Sequence, residues 1–378
     1  MKKKAIIKVG LLAVILGEAA FANAQSSLQL SGIINDGISY ANNVGHSHIL
    51  AASSGQLSPS RVIFSGAEDL SSDTQSTFFL SNPFNTNTGG GNGRAFNYAD
   101  VGLASKAYGN VTLGRQPDVA TTFFYPYTSN ELWAGGAGSH IGDNDNLNQT
   151  FKVSNSLKYV SPVLSGAQFG ADYSFSNSSG SGGGFNVNRL WSVGGSYKFD
   201  RFGAAAGYIV LDQPGQNTAG AVGSAGSTVA SDYSNIFTTS PVGNSGVSKQ
   251  TIFLLGAGYA FSNIKLGAVY SHVIYDYFNN ISTSINNAEV NATYSVTPAL
   301  QLGLAYQFTK AIEGGSGQRP AWQQINLAVD YFLSKHTTIY DMISAQQATG
   351  GAKAQINTFA ASSTSRQFVE MAGLLVTF

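Results

Sequence analysis

Charged side chains are scarce in this chain, at 11% of residues against about 25% in an average soluble domain, so the places where they gather are informative. Between Arg115 and Lys152 runs "PDVATTFFYPYTSNELWAGGAGSHIGDNDNLNQTF", Pro117 to Phe151, which carries the carboxylates of Asp118, Glu131, Asp143 and Asp145. Lys158 follows in "NSLKY", and Arg61 stands earlier in "PSRVIF". Carboxylates set against cations across a water-filled space create a transverse field that orders water and acts on polar solutes. Bond-breaking chemistry would need a nucleophile or an acid and base held in one constellation. The five His, at 46, 48, 140, 272 and 336, are scattered instead. "GHSH" at 45–48 offers two metal ligands in a loop, too few without further ligands and a second shell. The absence of Cys removes thiolate nucleophiles, Cys-ligated metals and disulfides. Neither a cofactor nor a metal is expected.

The elements that would position these charges begin after an export signal. "MKKKAIIKVGLLAVILGEAAFANA" has Lys2, Lys3 and Lys4, an apolar centre from Val9 to Gly17 and Ala22-Asn23-Ala24 as a cleavage site. A short membrane anchor is the alternative, but Lys8 and Glu18 trim the apolar run too far for spanning. A signal peptide over 1–24 leaves one domain, 25–378, with 16 basic and 19 acidic residues and a formal charge of −3. A near-neutral exported chain does not suit nucleic acid.

No later segment approaches the ~20 apolar residues of a membrane helix; "TIFLLGAGYAF", Thr251 to Phe261, is far too short. Alternation with period two recurs instead. In "SRVIFSGAEDL", Val62, Phe64 and Gly66 share one face and Arg61, Ile63 and Ser65 the other. "NVTLGRQ" and "LQLGLAYQF" alternate likewise. This reading gives strands near 28–42, 60–70, 74–82, 95–105, 109–116, 153–162, 166–177, 189–199, 202–212, 249–261, 264–277, 286–297, 299–312, 322–334, 337–349 and 365–378.

Short turns ("SSD", "KAY", "VLS", "DR", "SN", "TP", "KH") alternate with long polar loops, including 117–152, 178–188, 213–248 and 350–364. That ordered series is the signature of an all-β transmembrane antiparallel barrel of about 16 strands. Hydrocarbon cannot solvate backbone N–H and C=O groups, so membrane strands must pair on both sides, which closure achieves. Aromatic residues near segment ends, such as Tyr159, Tyr173, Phe175, Tyr197, Phe199 and Phe261, suit interfacial girdles. A soluble β-sandwich is the competing fold; small residues on the second strand face would leave its core underfilled. The Gly/Ser-rich stretches 176–184 and 220–231 read as loop tips within one domain.

"SRVIFSGAEDL", "VGLASKAYGNVTLGRQPD", "GDNDN", "NSLKYVSP" and the terminal Phe378 resemble the general porins of the proteobacterial outer membrane, in order along the whole mature chain. The resemblance implies a homotrimer of sixteen-stranded barrels embedded in outer-membrane lipid. Small hydrophilic solutes and ions would diffuse through a water-filled pore narrowed by an inward third loop, here 117–151. It implies a basic wall of Arg61, Arg115, Lys152 and Lys158 facing the loop acids Asp118, Glu131, Asp143 and Asp145. It also implies that the barrel-assembly machinery recognises Phe378. The alternative for each charge is a solvated side chain in a wide channel.

The chain departs from that pattern in three places. Asn97 or Tyr98 and then Ser65 stand where wall arginines are common, which weakens the case for strong anion selectivity. Val369, Met371, Gly373 and Leu375 occupy a lumenal row usually charged. Asp100 and Glu370 have unfavourable parity for lipid, and shielding at a subunit contact is the expectation for both, with a bulge as the alternative. Rival functions are a barrel phospholipase or protease, an adhesin displayed on outer loops, and a sugar-selective porin in which "FFYPY", Phe123 to Tyr127, forms a stacking track.

Overall fold

The computed structural model describes residues 26–91, 95–177, 184–223 and 232–378; the expected signal segment 1–24 and most of the Gly/Ser-rich stretches 176–184 and 220–231 lie outside them. Its strands are β1 (Ser26–Val44), β2 (Ser47–Ser54), β3 (Arg61–Asp69), β4 (Thr74–Pro83), β5 (Tyr98–Ser105), β6 (Gly109–Gln116), β7 (Val153–Val160), β8 (Ala167–Ser174), β9 (Arg189–Phe199), β10 (Phe202–Asp212), β11 (Val247–Phe261), β12 (Ile264–Tyr277), β13 (Ser282–Thr297), β14 (Leu300–Glu313), β15 (Ala321–Phe332), β16 (Thr337–Thr349) and β17 (Arg366–Thr377). Apart from β2 and β3, which each pair with β1, the strands pair antiparallel with their chain neighbours in one sheet, and β1 pairs with β17 from Ile33↔Thr377 to Ala41↔Val369, which closes it. Closure pairs β1 on both sides, as hydrocarbon requires of a spanning strand.

One strand was not expected from the sequence. The residues after Val44 turn through Gly45 and His46, with φ of 65° and 120°, and return as β2, so "GHSH" is a tight turn opening a strand and not a flexible loop. β2 pairs with the second half of β1, and β3 pairs with the first half, Ser26↔Glu68 to Ile33↔Arg61. The two together fill one wall position, broken by residues 55–60, so seventeen strands make a sixteen-position barrel. Asn35 accounts for the break: its Oδ1 accepts the N–H of Leu57 at 3.0 Å, and its backbone N–H donates to Ser60 Oγ at 2.9 Å.

The large apolar side chains point outward. On β14, Leu302, Leu304 and Tyr306 are exposed while Gly303, Ala305, Gln307 and Thr309 face in, the reverse of a soluble barrel. Such a surface is stable only against lipid. Tyr197, Phe199, Phe202, Tyr259 and Phe261 cluster outward at the strand ends on one rim, as a girdle requires. At the closure, the main chains of Phe378 and Gly32 exchange hydrogen bonds of 2.9 and 3.1 Å, and the Phe378 ring lies where a Cβ on residue 32 would stand.

The two unusual acids part company. Glu370 is exposed on the outer face in the row of Phe368, Ala372 and Leu374. Asp100 sits between outward Val101 and its register partners Phe79 and Gly114, and lines an inner recess with Gln29, Ser65 and Thr77. Its shielding at a subunit contact is therefore corrected: the pleat turns Asp100 to the lumen, where Lys158 is its charged neighbour.

Candidate functional site

The loop between β6 and β7 folds into the barrel, and its first turn shows why. Asp118 caps a short helix, Val119–Thr122, accepting the Thr121 N–H at 2.9 Å and hydroxyl at 2.8 Å, while Asp172 on β8 accepts the Val119 N–H at 2.9 Å. Phe123, Phe124 and Tyr127 are then buried, Phe123 against β9 and the other two against β10 and β11. Gly256 and Gly258 face these rings so closely that a Cβ would overlap Phe124 or Tyr127. Farther along, Trp133 lies flat on Gly303. Wall glycines here are sockets for loop aromatics, so "FFYPY" is mostly packing, and only Tyr125 of its aromatics reaches the open lumen.

Polar wall side chains stitch the rest of the loop down. Glu289 Oε1 accepts the Ser129 N–H at 2.6 Å, and Asn291 donates to Tyr127 O at 2.7 Å. Gln324 donates to Ala137 O at 2.8 Å, and Gln307 to Gly138 O at 2.5 Å. Two further segments fold inward. Thr358 and Asn357, from the loop after β16, meet Gly136, and Asn357 donates to its carbonyl at 3.1 Å. Asp232, after β10, ends 2.6 Å from Arg115. The apolar lumenal row Val369 and Met371 is covered by Trp133, Ala137 and Ile356, which explains its lack of charge.

What stays open is an off-centre cavity of about 570 Å³. Arg61, Tyr98 and Lys152 line it on one side, Tyr125, Glu131 and Trp133 on the loop, and Gln301 and Asp330 on β14 and β15. Arg61 Nη1 donates to Pro59 O at 3.1 Å and to Ser58 Oγ at 3.3 Å, fixed by the 55–60 excursion. Lys152 Nζ donates to Gln149 O and lies 5.7 Å from the Tyr98 ring centre; the Tyr98 hydroxyl donates to Gln149 Oε1 at 2.9 Å.

The expected basic wall and loop acids thus occupy different places. Arg61, Lys152 and Glu131 share the cavity. Arg115 sits behind it, donating to Asn97 O and Lys152 O at 3.1 Å each, to Ser154 Oγ at 2.8 Å and to Asp232. Lys158 donates to Pro117 O at 3.2 Å beside Asp100, Asp118 and Asp172, away from the cavity. Asp118, Asp143 and Asp145 are buried within the loop; Asp143 accepts the N–H groups of Asn148 and Thr150 at 2.9 Å each.

Burial raises the Asp118 carboxyl against hydrogen bonds from Thr121 and Asn146 that lower it. Burial and then the Asp145 charge push Asp143 up to about 6. Loss of solvation between the loop and the wall, then the Asp143 charge, raises Glu131 to about 7, with Arg61 and Lys152 pulling the other way. Asp330 escaped notice in the sequence, although "WQQINLAVDYF" alternates Trp322, Gln324, Asn326, Ala328 and Asp330 on one face.

Residues 10–350 match the family described as Gram-negative porin. The chain is 26% identical over 353 residues to outer membrane porin protein 32 of Delftia acidovorans, covering 89% of this chain and 88% of that one. An outer membrane porin protein of Bordetella pertussis is 33% identical over 193 residues, 46% of this chain; the match spans about half, 48%, of that relative. Among solved structures, an anion-selective porin from Comamonas acidovorans superposes with a TM-score of 0.73 over 94% of this chain and all of that one, at 18% identity. OmpT of Vibrio cholerae, in a trimer form, gives 0.68 over 93% of this chain and 99% of that one, at 14% identity. A family match of that length, on a closed barrel whose apolar face is turned outward, means that this chain belongs to the Gram-negative porins of the outer membrane.

Proposed function

We propose that small hydrophilic solutes and ions diffuse passively through the off-centre lumen, past Arg61 and Lys152 on one side and Glu131 on the other, with no bond made or broken. The cavity between the inward loop and the basic wall is the observation that carries this reading. Its cations are offset by Glu131 and Asp330, which supports weak ion selectivity. The burial of Phe123, Phe124 and Tyr127 supports plain diffusion over a sugar-selective channel with an aromatic track. Arg115 and Lys158 act behind the wall, Arg115 by holding Asp232 and Lys158 by offsetting Asp100, Asp118 and Asp172.

The working unit is a homotrimer in outer-membrane lipid, and its contact face centres on β16, β17 and β1. There Asp341, Glu370 and Asp36 point outward from adjoining strands, where lipid would leave three carboxylates unsolvated. Phe378 serves as the assembly signal read by the barrel-assembly machinery. Reconstitution in planar bilayers tests the channel: discrete conductance steps with a small reversal potential in a salt gradient support it, and concentration-dependent block by sugars would return the substrate-specific reading.

A further inference from the structure

His140 is buried at the far end of the constriction loop, where the loop meets the wall. Its Nδ1 lies 2.7 Å from Asp145 Oδ2, and its Nε2, which has no hydrogen-bond partner, lies 4.0 Å from Glu289 Oε2 on β13. Asp145 Oδ2 also accepts from Ser271 Oγ on β12 at 2.5 Å. Glu289 is the wall carboxylate that takes the Ser129 N–H and, through Oε2, the Gln307 amide at 2.7 Å. One imidazole thus sits between a loop acid and a wall acid, each of which ties the loop to the barrel.

We propose that His140 is the positioning residue of the constriction loop: as an imidazolium between Asp145 and Glu289 it keeps the loop seated on β12–β14, and loss of its proton unseats the loop.

The titratable groups around it are Asp143 and Asp145 from the loop, Tyr275 from β12 and Glu289 from β13, and β14 contributes the neutral Gln307. The charged groups acting most on His140 are the carboxylates of Asp145, Glu289 and Asp143. Burial opposes its charge, but Asp145, with Glu289 and Asp143 beyond, outweighs that and raises the imidazole above its ordinary value. Buried carboxylates that lose their one cation are costly, and the cheapest relief is to let water in by lifting the loop. Two other bonds fail with it. Asn144, four residues on, accepts from Gln250 and Tyr275 through its carbonyl at 3.0 and 3.1 Å, holding the same stretch to β11 and β12.

The position of His140 rests on geometry alone, but its effect on permeation rests on the diffusion reading, so the test has one arm that does not need a current. In detergent-solubilised protein, hydrogen exchange of residues 128–150, corrected for intrinsic rate, speeds up between pH 7 and pH 9.5 while exchange of the barrel strands does not. In bilayers, wild-type channels quiet at neutral pH show brief closures at alkaline pH. His140→Gln shifts both behaviours to neutral pH and flattens their pH profile; His140→Gln with Glu289→Gln, which removes one of the two carboxylates left uncompensated, partly restores quiet channels. Glu289→Gln alone weakens the alkaline response, a readout that survives if His140→Gln does not assemble. Loop exchange unchanged by pH in wild type, or an alkaline response undiminished in Glu289→Gln, overturns the proposal. A barrel with no current but with the exchange response contradicts the diffusion reading and leaves this one standing.

Discussion

At the scale of single residues, the constriction is set by who reaches water. Of the four loop acids, only Glu131 is exposed to the lumen; the other three stabilise the loop itself. Glu131→Gln should therefore shift reversal potentials toward anions at pH 8, whereas Arg61→Ser should shift them toward cations. Because the Glu131 carboxyl is raised to about 7, it is charged above that pH and neutral below it. Acidification from pH 8 to pH 6 should accordingly increase anion preference in the wild type and have little effect in Glu131→Gln, as measured by reversal potential in a salt gradient. Parity made Arg61 legible in the sequence, since Val62 and Phe64 had to face lipid. The partners of Arg115 were not legible, because Asp232 lies 117 residues away in a loop with no period to follow.

At the scale of elements, strands were legible and loops were not. A membrane strand announces itself because lipid and lumen impose opposite demands on alternate residues. β2 escaped because its outward row, His48, Leu50 and Ala52, is mostly small or polar and the chain breaks at 55–60 to satisfy Asn35. The packing of the third loop depends on distant glycines, whose role appears only when β10, β11 and β14 stand beside it. Gly303→Leu tests that packing directly: the side chain overlaps the Trp133 ring, and overpacking of this kind costs about 1–3 kcal/mol. The expected outcome is a folded barrel with noisier current and faster exchange in residues 128–150; unchanged exchange would mean that Trp133 does not hold the loop.

At the scale of the whole molecule, two surfaces carry the account. The outer wall is largely apolar, and on β16, β17 and β1 the outward carboxylates of Asp341, Glu370 and Asp36 interrupt it. Replacing Asp341 and Glu370 by Leu separates the possibilities, because such a change is neutral or stabilising where the face meets lipid and destabilising where it meets another subunit. The expected result is a lower temperature for trimer dissociation on a detergent gel with heat-resistant monomers. Inward loops cover much of the inner wall, over apolar patches and through polar tethers such as Glu289 and Gln324, so the pore occupies only part of the barrel section.

The central claim is that this partly filled barrel still conducts, and single-channel recording of the purified protein in a planar bilayer tests it most directly. The account predicts uniform, ohmic conductance steps, unsaturated with salt concentration and with a reversal potential close to zero in a salt gradient. Insertion of folded barrels that pass no current would contradict it.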